Sequence, residues 1–333
     1  MAWNTTLANG CRSRWYGYGL MLLAGIFLAM TAVHSAMPLN GFDIEGSLIP
    51  EDEIHHGGPQ RDGIPALSNP EFITAAEAAW LKPDDRVIGI EIDSERRAYP
   101  IRILNYHEIV NDRIADTYFA ITYCPLCGTG VAFDAEVAGK AREFGVSGLL
   151  YNSDVLLYDR QSESLWSQLM SKAVSGPLKG TLLEKIPILH TSWEAWRKGG
   201  DTLVLSLDTG YRRDYSRSPY GNYDEERKLY FPVNTRSTRY HPKERVIGLE
   251  LEGKFKAYPF VELARVESPL QDSFGGQDLV VVFDVATRSG EIRDSSGKPL
   301  PSINSFWFAW YAFHPETDVY EPQGCRARLF SAE

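Results

Sequence analysis

Residues Pro83–Pro100 (PDDRVIGIEIDSERRAYP) and Pro242–Pro259 (PKERVIGLELEGKFKAYP) align without gaps and are identical at nine of 18 positions. Unrelated segments of average composition would share about one. Each copy alternates apolar and polar residues, breaks at Asp93-Ser94 or Glu252-Gly253, and resumes. That pattern reads as a two-stranded hairpin, present twice. The match continues: Ala120–Asp134 aligns with Val280–Asp294 at nearly the same offset, and, beyond an insertion in the first copy, Trp193–Trp196 before Asp201-Thr202 resembles Trp307–Trp310 before Glu316-Thr317. A period of about 160 residues is far too long for a solenoid. The expected fold is therefore α+β, mainly antiparallel β, in two pseudo-equivalent lobes from an internal duplication.

The expected layout follows from this frame. Residues 37–82 form an N-terminal arm that wraps the body, with a short amphipathic helix over Pro70–Leu81. Residues 83–210 form the first repeat, interrupted by an insertion near Glu143–Leu189 that the second mostly lacks. Residues 211–241 form a Tyr-rich linker and 242–325 a second, degenerate repeat. With 44% hydrophobic residues the chain can bury a real core. A net charge of −10 argues against nucleic acid as a partner, because phosphate binding needs a basic face.

Arg12 and Arg14 precede an apolar run from Tyr18 to Val33. Residues 1–36 therefore read as a signal peptide or a retained N-terminal membrane anchor. Either way the body is expected to be exported, periplasmic or otherwise extracytoplasmic, with contact to the membrane only through that segment. The four cysteines are Cys11, Cys124, Cys127 and Cys325. Cleavage would leave three, an odd number that does not make a disulfide scaffold.

The chemistry-bearing segment is Cys124-Pro125-Leu126-Cys127-Gly128, between a strand at Tyr118–Tyr123 and another at Val131–Asp134. A thioredoxin-like pair would open a helix, whose N-terminus lowers the thiol pKa. A metal knuckle sits in a turn between strands, and Gly128-Thr129-Gly130 followed by strand favours that reading. One knuckle supplies two ligands, and His107 is the nearest candidate for a third. In the second repeat Val266, Asp284 and Thr287 stand opposite His107, Cys124 and Cys127. Residues needed only for the fold would be expected in both copies, so this joint absence points to one shared local role. Two thiolates and an imidazole suit copper or zinc, in a redox enzyme or a metal carrier. Gly128 stands where a c-type haem motif needs His.

Two other readings stay open. One is a thiol–disulfide oxidoreductase with Cys124 as nucleophile and Cys127 as resolving thiol. The other is a non-enzymatic envelope scaffold or interaction protein with a structural disulfide. The insertion carries Asn152-Ser153-Asp154 and Tyr158-Asp159-Arg160. The first reads as a turn, the second as a buried pair. As a lid over the cysteines, the insertion would offer Asp154 first, then Asn152, Tyr158 and Arg160, as contacts to the ligands or to a substrate. His190 is a reserve ligand. Apart from that, His55, His56, His190 and His314 read as surface or turn residues. Tyr211, Tyr215, Tyr220 and Tyr223 read as packing for a long loop. Asp208-Thr209-Gly210 does not recur in the second repeat, so an aspartic-protease pair is rejected.

The segments NYHEIVND, ITYCPLCGTGVAFD, FGVSGLLYNSDVLLYDRQSESLWSQ and LSLDTGYRRDY…PYGNY resemble the family catalogued as domain of unknown function 3179. The resemblance runs from about Gly57 to Tyr320. It maps the family's motif histidine to His107 and its cysteine pair to Cys124 and Cys127. Asn152, Ser153, Asp154, Tyr158, Asp159 and Arg160 fall in matching motifs. Relatives often carry Trp and Arg where this chain has Tyr106 and Tyr151. The resemblance implies no established activity.

Overall fold

The structure is a computed structural model and describes residues 39–322, which belong to one compact unit beginning at Ala36. The expected export segment, Cys11 and Cys325 lie outside the described residues. Among the described residues no helix is long and apolar enough to cross a membrane.

The protein is mainly antiparallel β with four short α-helices among the described residues. The two matched hairpins are Arg86–Ile92 with Glu95–Pro100, and Arg245–Leu251 with Lys254–Pro259. Each ends in proline and enters a short helix, Ile101–His107 or Phe260–Leu263. A fixed φ and a missing N–H suit proline to that junction. Each hairpin then gains an antiparallel strand, Leu189–Ser192 or Ile303–Phe306, and a parallel one, Leu203–Leu205 or Asp318–Val319. A Trp-bearing helix lies between those strands in both halves, Trp193–Lys198 and Trp307–Phe313.

The conserved spacing within the chain has visible causes. A Cβ at Gly89 would lie 2.3 Å from the Trp196 ring, and one at Gly248 would lie 2.1 Å from the Trp310 ring, so only glycine lets either indole lie on its hairpin. The Trp196 indole donates to Thr202 Oγ1 at 2.9 Å, and that of Trp310 to Thr317 Oγ1 at 3.0 Å. Tyr99 donates to Asp112, which also holds Arg97 at 2.6 Å. Tyr258 likewise donates to Asp272, which holds Lys256 at 2.5 Å. These ion pairs are largely buried, and stranding one member of such a pair costs on the order of 3–5 kcal/mol.

The halves are joined crosswise. Ile303–Phe306 of the second half meets Thr129–Asp134 of the first at a bridge between Asn304 and Gly130. Leu189–Ser192 of the first half packs beside Ser289–Asp294 of the second, where Thr191 Oγ1 lies 2.9 Å from Ser289 Oγ. The insertion folds as its own sheet of Phe144–Tyr151, Asp154–Asp159, Leu165–Ser167 and Lys172–Ser175.

The arm contributes short edge strands to three sheets: Ile54–His56, Leu67–Ser68 and Phe72–Thr74. Covering edges in this way blocks pairing with other chains. The helix expected at Pro70–Leu81 is absent. Phe72–Thr74 pairs with Leu203–Leu205, and the run left before Pro83 is too short to recover the cost of helix nucleation. Only a single turn forms, tied by the Thr74 amide to Glu77 Oε2 at 2.8 Å. The linker has neither helix nor strand; it bonds to Tyr106, Glu108 and Ser153 of the first half and to Glu262 of the second.

Candidate functional site

The cysteine segment is a turn between two paired strands, Thr117–Cys124 and Thr129–Asp134, with Cys124 opposite Thr129. The corresponding turn of the second half joins Gln277–Asp284 to Ser289–Asp294, with Asp284 opposite Ser289. There Thr287 Oγ1 donates to Asp284 Oδ2 at 2.8 Å on an exposed surface. The same backbone turn therefore forms without any sulfur. In the first half it is buried: Cys124 and Cys127 are free thiols, 1% and 0% exposed. Gly128 takes φ +60, and a Cβ there would lie 2.8 Å from Phe306. The Phe306 amide donates to the Cys127 carbonyl at 2.8 Å, so the second half seals the back of the turn.

The insertion supplies the third member. Phe144–Tyr151 and Asp154–Asp159 pair with Tyr151 opposite Asp154, leaving Asn152 and Ser153 as a two-residue turn. Both have positive φ, 51° and 65°, as a type I′ hairpin demands. For Asn this is easy; for Ser it costs on the order of 1 kcal/mol. The turn brings the Ser153 carbonyl 3.2 Å from Cys127 Sγ and 3.8 Å from Cys124 Sγ, where each thiol donates to it. It also delivers Asp154. Ligand atoms of Cys124, Cys127 and Asp154 all lie within 4.8 Å of one another. Asp154 Oδ2 accepts from the Leu169 amide at 3.0 Å. Asp154 Oδ1 is buried with no hydrogen-bond partner of normal geometry, and the polar groups around the carboxylate are the Leu169 and Val155 amides and the two sulfurs.

Three acidic groups thus share one buried pocket. Burial raises the Asp154 carboxyl to about 7 and pushes both thiols up, Cys127 furthest because Cys124 adds to the effect. A cation among them would reverse that cost, since opposite charge favours the ionised forms.

The histidine expected as third ligand lies elsewhere. His107 does not join the cluster: its Nδ1 lies 2.8 Å from the Pro65 carbonyl and its Nε2 2.6 Å from Tyr215 Oη. The ring is held between arm and linker, and burial lowers its pKa. His190 is also outside the cluster, and it is buried rather than at the surface, with Nε2 against Gly130. His314 is buried too, stacked on Phe255 at 3.8 Å. Of the insertion's other candidates, Asn152 Oδ1 accepts from the Asn234 amide at 2.8 Å, which ties the turn to the linker. Tyr158 and Arg160 bind Asp62 at 2.5 and 3.0 Å and are not members of the cluster.

The sequence reading passed over Glu108. It ends the helix Ile101–His107 with φ 58°, its amide bonded to the Leu104 carbonyl and its own carbonyl accepting from the Tyr123 amide at 2.7 Å. This strained residue is only 7% exposed. Tyr220 of the linker donates to Oε1 at 3.1 Å. Burial pushes the carboxyl up to about 7, and Asp154 adds to the shift. Glu108 lines a cavity of about 400 Å³ together with Leu126, between the cysteines, and Val155, next to Asp154. Lys243 was also missed. Its ammonium sits 3.3 Å above the Tyr223 ring and donates to the carbonyls of Tyr223, Glu226 and Lys228, folding the linker down.

No curated protein and no solved structure matches the chain. A family model described as "Protein of unknown function (DUF3179)" matches residues 61–317, which hold the cysteine turn, the Asp154 hairpin and most of both halves. The chain belongs to that family.

Proposed function

We propose that this chain is an exported metalloprotein that binds one transition-metal ion through Cys124, Cys127 and Asp154, with zinc preferred over copper. The observation that carries the reading is the buried cluster itself: three donors within 4.8 Å, one carboxylate oxygen lacking a partner. Such a group is costly to bury empty and is neutralised by a dication. The donor set bears on the metal. Thiolates alone would suit copper(I), whereas a carboxylate beside them moves the set towards borderline zinc. Three protein donors leave a fourth position, at which zinc can activate water or polarise a carbonyl. Export is the reading of Arg12, Arg14 and the Tyr18–Val33 run. We read the two halves as products of a duplication in which only the first carries the site.

A thiol–disulfide exchanger needs an exposed sulfur of lowered pKa, commonly at a helix N-terminus. Here both sulfurs are buried in a strand-to-strand turn, which supports the metal reading over that one. The test is elemental mass spectrometry on protein purified anaerobically from its native compartment, beside a Cys124→Ser/Cys127→Ser variant. About one zinc or copper per chain, absent from the variant, is the expected result. No metal in either protein, with thiols titratable only after reduction, would remove the reading.

A further inference from the structure

The cavity beside the cysteine turn has an unusual inventory. It is walled by Ile64 of the arm, Val146 and Leu150 of the insertion, and Tyr220, Tyr230 and Phe231 of the linker. Among its lining residues there is no lysine, arginine or histidine, and one carboxyl, Glu108. Among the described residues Glu108 forms no ion pair and no group donates to its Oε2. A volume of about 400 Å³ lies within the range of small-molecule sites.

A buried carboxyl without a counter-charge is expensive unless protonated or paired. Elsewhere in the two matched halves, buried Asp112 has Arg97 and half-buried Asp272 has Lys256, whereas Glu108 has no such cation. Tyr220 satisfies one oxygen of Glu108 and leaves the other for an occupant. The linker adds three aromatic rings to the same walls, and aromatic faces attract cations. An anionic guest would meet Glu108 with like charge and no compensation. A wholly apolar guest would leave Oε2 unmatched.

We propose that this cavity binds a small cationic amine with an apolar body, its ammonium on Glu108 Oε2 and its body against the Val146, Leu150 and Phe231 walls. The site is distinct from the metal ligands, and the proposal does not depend on which ion they hold. Glu108 acts as the counter-charge, and the linker tyrosines position it and close the cavity.

The test uses isothermal titration of the full mature protein, as purified, at pH 8 with three probes of one shape: 2-naphthylmethylamine, 2-naphthamide and 2-naphthoate. The amine is expected to bind at one site per chain at least about tenfold tighter than the amide, as a charge-assisted bond gives, and the naphthoate weakest. Glu108→Gln should bring the amine to the level of the amide, while Val146→Trp should abolish binding of all three by filling the cavity. Metal content is measured in each variant, so loss of amine binding at unchanged metal content separates this site from the thiol site. Equal affinities for the three probes, amine binding unaltered by Glu108→Gln, or no saturable binding at all would overturn the proposal.

Discussion

Asp154→Asn weakens zinc binding by roughly 10²–10³-fold, and His107→Ala leaves it within about threefold. The size follows from sharing the roughly 10–16 kcal/mol typical of a structural zinc site among four donors, which gives about 2.5–4 kcal/mol each. Asparagine keeps an oxygen at the end of the Asn152-Ser153 turn but removes the charge that faces Cys124 and Cys127. His107 is committed to Pro65 and Tyr215 and has no ring nitrogen left for an ion. Its removal loosens the contact between arm and linker instead, and is read as lowered stability. The measurement is competition with a chromophoric zinc chelator. Equal losses in the two variants would restore the histidine to the ligand set and remove the carboxylate.

Glu108→Gln stabilises the protein at pH 8 by about 3 kcal/mol and leaves it nearly unchanged at pH 4.5. The carboxyl is raised from about 4.5 to about 7 in the folded state, chiefly by burial. Folding therefore favours its protonated form. Below the unfolded value both states are protonated and the group is neutral to stability. As pH rises through the window from about 4.5 to 7 the unfolded state ionises first, and the folded state loses stability until its own carboxyl ionises. Above about 7 the cost is complete, at 1.36 kcal/mol per pKa unit. Glutamine mimics the protonated acid and carries no such cost. Urea midpoints of both proteins across that range, with metal removed by chelator, check the sign and the window. A difference independent of pH would mean that Glu108 is solvated as an ordinary surface acid.

The hairpin pair was legible because its identities are structural. Gly89 and Gly248 lie under indoles, and Tyr99 and Tyr258 reach an aspartate, so the same residues recur wherever the same packing recurs. The knuckle was legible for the same reason, since Gly128 needs φ +60 and strand follows it at once. The third ligand was not. His107 was favoured because it is near in sequence and absent from the second half, but the cluster is closed by a strand pairing 30 residues on, from the insertion. Asp154 stood out only as a polar residue after a turn.

Glu108 was hidden by the comparison between halves. The second half carries Glu267 opposite it, which is exposed, so the position looked like an ordinary surface acid. Its burial comes from Tyr220, more than a hundred residues away, on a linker that has no periodicity from which a path can be read. The helix at Pro70–Leu81 failed because local amphipathicity lost to an edge strand position on the first-half sheet.

X-ray absorption at the metal edge, on protein purified from its native compartment, tests the central claim most directly. The account predicts two sulfur scatterers at about 2.3 Å and one or two oxygen neighbours at about 2.0–2.2 Å, with no imidazole multiple scattering. A shell made only of nitrogen and oxygen, or one with a clear histidine signature, would contradict a site built on Cys124, Cys127 and Asp154.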